Sequence, residues 1–222
     1  MLLALAGLEE PTLLAPTAAD GLEPVIPDQL DTRLSAALGD RLRETGRVHG
    51  LTLNTLLNAA WGLTLASATG RTDVVFGTTV AGRPSEVHDV EHIIGLFLNT
   101  VPARIAFDPA EPVLGLLRRI QGERLDLMPY EHLSLGVLQA ETGHRKLFDT
   151  LFVLRNNDTE DRLAELRTRH GATAVANVDA THYPANLVVT PGHRIAVTLT
   201  HRPDLVPADR ARDLLDRFTL LL

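Results

Sequence analysis

The sequence has no cysteine, and Lys146 is the only lysine among its 21 basic residues. Without thiols the chain can form no disulfide, no zinc–thiolate site and no cysteine nucleophile. The 28 acidic residues outnumber the basic ones and give a formal net charge of −7. Nucleic-acid binding requires clustered positive charge, so we expect no nucleic-acid partner.

Long apolar runs are also scarce. The opening residues MLLALAGL follow no basic segment and lead directly to Glu9 and Glu10. A signal peptide needs a charged start, and a membrane span needs about 20 apolar residues. We therefore expect a cytoplasmic protein with no membrane partner. With 222 residues, 45% of them hydrophobic, the chain can bury one substantial core.

Several catalytic motifs are missing from the sequence: G-x-S-x-G, the P-loop and G-x-G-x-x-G. One motif needs weighing, because HDVEH at 88–92 matches the H-x-x-E-H pattern of inverted zinc peptidases. On a helix, His88 and His92 would share a face and the glutamate could act as a base. The segment lies between a Gly-Pro loop and a predicted extended run, which disfavours that helix. We therefore expect no metal.

Hydrophobic periodicity predicts helices and strands that alternate along the chain. The predicted helices are 31–46, 52–70, a third starting at Pro112, and a C-terminal one with apolar positions at Ala211, Leu214, Leu215, Phe218, Leu221 and Leu222. The predicted strands are 73–80, 99–107, 148–154, 187–190 and 195–200, the last two forming a hairpin around Pro191. This pattern predicts an α/β lobe over 30–222, a mixed β-sheet flanked by helices, after an extended lead-in over 1–29.

Five segments, in order, resemble the C-terminal lobe of a non-ribosomal peptide synthetase condensation domain. They are LAGLEEPTLLAP at 5–16, the helix–strand–loop segment at 51–84, IIGLFLNTVPARI at 93–105, YEHLSLGVLQ at 130–139 with LFDTLFVLRN at 147–156, and the hairpin at 181–204. The third matches the family's GxFVNTxxxR motif through Gly95, Phe97, Asn99, Thr100 and Arg104.

The resemblance implies a fold like that of chloramphenicol acetyltransferase, in which two lobes meet over a tunnel. Peptidyl carrier proteins bring aminoacyl and peptidyl thioesters into the tunnel on phosphopantetheine arms, and an amide forms; no cofactor is bound directly. The family signature HHxxxDG lies in the other lobe. None of the nine histidines here is adjacent to another. We therefore expect no catalytic residue in this chain, no activity without an N-terminal lobe, and self-association through the exposed lobe face.

The candidate tunnel residues are Asn99, Thr100, Gly82, Arg83 and Pro84. Asn99 and Thr100 follow an apolar run and could point into the tunnel; alternatively, Asn99 satisfies backbone groups at the strand start. The resemblance places 82–84 in a loop forming the tunnel floor. Arg83 could meet a phosphate of the carrier arm, or it could tie the loop down. His132 is predicted to be a surface loop residue.

A second function fits the same resemblance. Some condensation-like domains have lost catalysis and recruit a tailoring enzyme to a carrier-bound peptide. Family members place an arginine just before the first helix of this lobe, where it pairs with the signature aspartate. That position falls near Pro24 here. Its loss is compatible with a recruiting module, so both functions stay open at this point.

Overall fold

Six strands form one mixed sheet in the computed structural model, which describes residues 1–16, 23, 25–81, 88–89, 92–95, 97–155, 168–169, 171 and 182–222. In chain order the strands are β1 Asp28–Arg33, β2 Asp73–Val80, β3 Asn99–Ala106, β4 Thr150–Leu154, β5 Ala185–Thr190 and β6 Ala196–His201. The sheet order is β1-β6-β5-β4-β2-β3. Strand β2 runs parallel to β4, which is parallel to β5, and the other pairs are antiparallel.

The helices are α1 Leu2–Leu5, α2 Ala36–His49, α3 Leu53–Thr69, α4 Val113–Leu127, α5 Leu135–Thr142 and α6 Ala208–Leu220, with a 3₁₀ turn at Met128–Tyr130. Side-chain caps set two of the starts: Ser35 Oγ accepts from the Leu38 amide at 3.2 Å, and Thr52 Oγ1 accepts from the Thr55 amide at 3.1 Å. None of the described helices is both long and apolar enough to cross a membrane.

The main core lies between the sheet and helices α2, α3, α4 and α6. The only tryptophan, Trp61 on α3, is fully buried and meets Phe218 of α6 edge-on, with ring centroids 6.4 Å apart. Close approach of α3 to β3 depends on Gly62, because a Cβ there would lie 2.4 Å from Cδ1 of Ile105. A second, smaller cluster packs α1 and α5 against β2 and β3, using Leu5, Leu8, Val75, Val101, Leu138, Leu147 and Phe148 among others.

Most predicted elements are confirmed. Strand 73–80 has the predicted bounds, helix 52–70 is α3 with Thr52 as its cap, and the hairpin forms from β5 and β6. The helix predicted over 31–46 begins only at Ala36. Residues 31–33 instead complete β1, an edge strand whose polar sequence, DQLDTR, carries no apolar alternation. Its backbone pairing with β6 determines the structure there.

The lead-in differs from its prediction as an extended segment. Residues 2–5 form α1, and Leu5, Leu8 and Leu14 are buried among core residues. Asp149 fixes the segment's path, because its carboxylate accepts from the Leu14 and Ala15 amides, each at 2.8 Å. Pro11 and Pro16 disfavour regular structure beside them, yet Leu8 and Leu14 are still buried.

Candidate functional site

A cavity of about 570 Å³ lies between α1, the start of α3, β3 and α4. It runs along β3, whose residues 101–106 line it, and it reaches the neighbouring strand β2 at Thr78. Thr78 and Val101, which are paired across these two strands, both line it. Its other lining residues include Met1, Leu3, Leu5, Thr52, Asn54, Thr55, Asn58, Ala103, Arg104, Ile105, Arg119, Ile120, Gln121, Glu123, Arg124, Leu125, Leu127 and Met128.

Gln121 of α4 fixes the start of α3 at the cavity. Its Oε1 accepts from the Thr52 amide at 2.8 Å and from the Thr55 hydroxyl at 3.0 Å. Its Nε2 donates to the Gly50 carbonyl at 2.8 Å. The first amides of a helix have no partner within the helix, so a side chain from a neighbouring element that accepts from one of them stabilises both elements. The α3–α4 wall is therefore built by hydrogen bonds as well as by packing.

Arg104 holds α1 against the sheet and so forms the opposite wall. Its Nε and Nη2 donate to both carboxylate oxygens of Asp73, at 2.9 and 2.7 Å. Its Nη1 donates to the carbonyls of Ala4 and Ala6, at 3.0 and 2.8 Å. The Asp73 hydrogen bonds raise the pKa of Arg104 above its ordinary value, so the guanidinium stays charged. Arg104, the last residue of the GxFVNTxxxR motif, therefore has a structural role: it joins α1 to β2.

The other two arginines of the cavity are also paired with carboxylates. Arg119 contacts Glu111 at 2.9 Å and Glu123 at 3.2 Å, and the Glu111 hydrogen bond raises the Arg119 pKa. Arg124 contacts Glu131. With Arg104 on Asp73, each of these three cations faces an acid on the protein itself. The polar groups open to the interior are therefore mostly neutral.

Asn99 and Thr100 are the first two residues of β3, directly before Val101. The Asn99 amide donates to the carbonyls of Glu131 and Leu133, at 2.7 and 3.0 Å, and its Oδ1 accepts from the Thr100 amide at 2.9 Å. These bonds of the Asn99 side chain therefore all go to backbone groups, and neither Asn99 nor Thr100 lines the cavity. Asn99 instead joins the motif at 93–105 to the YEHLSLG motif.

Three predicted features lie wholly or partly outside the described residues. Gly82, Arg83 and Pro84 are outside them, as is Pro24, so the structure carries no account of these positions. Of the HDVEH segment, His88 is described and its Nδ1 lies 2.9 Å from the Asp89 carboxylate. Within the described part of the chain, no three His, Asp or Glu side chains are grouped as a metal site would require. His132 is exposed, as predicted.

Sequence reasoning missed the interior polar residues of the cavity, Asn58, Thr78 and Gln121. Asn58 lies among apolar residues of the predicted helix 52–70. This could have indicated a polar site, because a buried side-chain amide normally has a hydrogen-bond partner. Thr78 gave none, since threonine is common in strands.

Comparison with known proteins identifies the family. The condensation domain profile matches residues 4–222, and the chain belongs to the condensation domain family. A linear gramicidin synthase of Brevibacillus parabrevis is 32% identical over 98% of this chain and 3% of that protein. Vanchrobactin synthetase VabF of Vibrio anguillarum is 37% identical over 85% of this chain and 7% of that protein. The chain thus spans only a small part of the length of these relatives.

Solved structures agree on the fold. The first condensation domain of the calcium-dependent antibiotic synthetase, in complex with a substrate analogue, matches with a TM-score of 0.72 and 17% identity, covering 98% of this chain and 47% of that one. The condensation domain from Monacolin K polyketide synthase MokA matches with a TM-score of 0.73 and 19% identity, covering 94% and 50%. The chain therefore spans about half the length of a solved condensation domain, and its fold is that of one lobe.

Proposed function

We propose that this chain is the C-terminal lobe of a condensation domain that joins carrier-bound aminoacyl and peptidyl thioesters through an amide bond. The observation that carries the proposal is the family match over 4–222 together with a cavity lined by residues 101–105 of the 93–105 motif. The relatives are peptide synthetases, which favours amide formation over recruitment of a tailoring enzyme. The cytoplasmic location expected from the sequence stays a prediction.

In this proposal the lobe contributes shape rather than acid–base chemistry. It supplies one tunnel wall and a carrier-docking surface, and the companion lobe supplies the HHxxxDG histidine. Holding two tethered reactants at attack distance accounts for much of the acceleration such a domain needs. Thr100 and the loop 82–84 remain the proposed tunnel residues. For Asn99 we propose a positioning role, since its bonds fix the loop at 131–133 beside the wall.

Reconstitution tests this function. The 222-residue chain is mixed with an HHxxxDG-bearing N-terminal lobe of a relative and with two loaded carrier proteins, and amide product is measured by mass spectrometry. We expect product only when both lobes are present, and none when the second signature histidine of the companion is replaced by alanine. Product from the lone chain would contradict the proposal.

A carrier titration separates the two functions left open by the sequence. Loaded carrier should shift NMR signals near Thr100 and Val101 of the labelled chain, whereas unmodified carrier should not. Carrier binding without product, in a reconstituted pair that forms a stable complex, would instead favour recruitment.

A further inference from the structure

Three buried polar atoms of the main core have no hydrogen-bond partner within the part of the chain that the structure describes. They are Trp61 Nε1, Thr150 Oγ1 and His201 Nε2, and all three residues are fully buried. Buried polar groups in proteins are normally paired, either with the protein or with ordered water. Three such atoms in one core therefore indicate a bound partner.

Thr150 and His201 point to the same side of the sheet. Ala185 of β5 is paired with Thr150 of β4 on one side and with His201 of β6 on the other. Residues directly opposite each other in a sheet project to the same face, and Ala185 belongs to the main core between the sheet and the helices. Two strand spacings place the Cα atoms of Thr150 and His201 about 10 Å apart. Between them, Ala185 contributes only a methyl group.

His201 presents an acceptor on this face. Its Nδ1 lies 2.8 Å from the Val206 carbonyl oxygen, which can only accept, so Nδ1 carries the ring proton. In the neutral ring Nε2 is then an acceptor, while the Thr150 hydroxyl can donate. These two atoms do not bond to each other in the structure. A molecule between them therefore has to donate to His201 and accept from Thr150.

Trp61 lies over the same part of the sheet. Its ring meets Phe218 of α6, so it lies between α3, which packs on β2 and β3, and α6, which packs on β1 and β6. The strands between these two pairs are β4 and β5, which carry Thr150 and Ala185. The indole N–H can only donate. It supplies the third partner, and about three partners are typical of a buried water.

We propose that one water molecule is bound in this core, donating to His201 Nε2 and accepting from the Thr150 hydroxyl and the Trp61 indole N–H. Two hydrogen bonds of about 2.8 Å span up to about 5.6 Å. The two side chains then have to cover about 4 Å together, out of the Cα separation of about 10 Å. The water links α3, whose first turn lines the cavity, to β4 and β6. The water site is independent of the proposed function.

The test is a pair of water-selective NOE and ROE spectra of the isotope-labelled 222-residue chain. We expect cross-peaks from a long-lived water to the Trp61 indole N–H and to the His201 Hδ2 proton, which is next to Nε2. Their signs should be those of a direct NOE rather than of chemical exchange. A long-range proton–nitrogen spectrum should show His201 protonated at Nδ1 alone.

Variants of Thr150 separate a bound water from an unpaired hydroxyl. Thr150→Val keeps the side-chain shape and removes the hydroxyl, so the water loses a partner, the His201 cross-peak should disappear, and the urea midpoint should fall. If no water were bound, the same change would remove an unpaired buried hydroxyl, and the midpoint would stay or rise. Thr150→Ser keeps the hydroxyl and should keep the cross-peak. Thr79→Val is the matched control: its side chain points to the opposite face of the sheet, so it should also keep the cross-peak.

Any of four results overturns the proposal. The first is the absence of either cross-peak in a protein whose Trp61 fluorescence shows it folded, and the second is a proton on His201 Nε2. The third is a urea midpoint of Thr150→Val equal to or above that of the parent. The fourth is a His201 cross-peak that persists unchanged in Thr150→Val, because the water then does not bridge to Thr150.

Discussion

The side-chain amide of Asn99 donates to the Leu133 carbonyl at 3.0 Å, and so joins the first residue of β3 to a loop 34 residues further along the chain. The same amide also donates to the Glu131 carbonyl at 2.7 Å. Two family motifs that are separate in sequence therefore form one unit next to the cavity.

Replacing Asn99 by aspartate should destabilise the fold. In aspartate a carboxylate oxygen replaces the NH2 group and points at the same two carbonyl oxygens without donating to them. We therefore expect the free energy of unfolding to fall by about 1–3 kcal/mol at pH 7. Urea unfolding followed by Trp61 fluorescence measures it. Asn54→Asp is the matched control, because residue 54 lies in the first turn of α3, where the helix dipole favours negative charge. A loss in the control as large as that in Asn99→Asp would contradict this assignment.

Removing the Asp149 carboxylate should release the lead-in from the core. Asp149→Ala leaves the buried Leu14 amide and the partly buried Ala15 amide without their acceptors, and we expect a loss of about 2–4 kcal/mol. Hydrogen exchange should accelerate at these two amides first. The exposed Asp126→Ala provides a comparison and should change stability by less than about 0.5 kcal/mol. Unchanged exchange at Leu14 and Ala15 would mean that other contacts hold the segment.

The same carboxyl makes stability depend on pH. Burial raises the pKa of Asp149 in the folded state, against the opposing effect of its backbone hydrogen bonds. The unfolded chain therefore loses this proton at a lower pH, near the ordinary value of about 3.9. The stabilising contribution of Asp149 is complete below that value and declines as pH rises through the raised folded-state pKa. The stability of the parent relative to Asp149→Asn should thus fall above about pH 4, and a relative stability that rises there would contradict the assignment.

The Arg104–Asp73 ion pair should show a measurable coupling energy. It is bidentate, with side chains 19% and 31% exposed. A double-mutant cycle with Arg104→Lys and Asp73→Asn should give about 1–2 kcal/mol, because lysine cannot reproduce the paired hydrogen bonds. The Arg47–Glu44 pair is equally short, at 2.6 Å, but lies in solvent, and we expect no measurable coupling there. Equal coupling in both pairs would contradict a role for burial.

Apolar side chains at the cavity rim should drive self-association when the companion lobe is absent. Leu3 is 92% exposed and Leu125 58% exposed, and both line the cavity. Sedimentation velocity should show concentration-dependent association that Leu3→Ser with Leu125→Ser reduces. Leu220→Ser is the control, at an 86% exposed position near the other end of α3. A monomer at all concentrations would contradict the prediction.

The sequence by itself determined the family, the α/β class and most elements, because these depend on local pattern. Examples are the apolar face of α3 with its Thr52 cap, the buried strand at 73–80 and the family motifs in their order along the chain. Only the tertiary structure decided what Asn99 and Arg104 contact, since their partners lie 32–34 and 31–100 residues away along the chain. It also decided β1, which depends on pairing with β6, and it brought Thr78 and Asn58 into one cavity. Side-chain partners and cavities form between distant segments, and no local pattern specifies them.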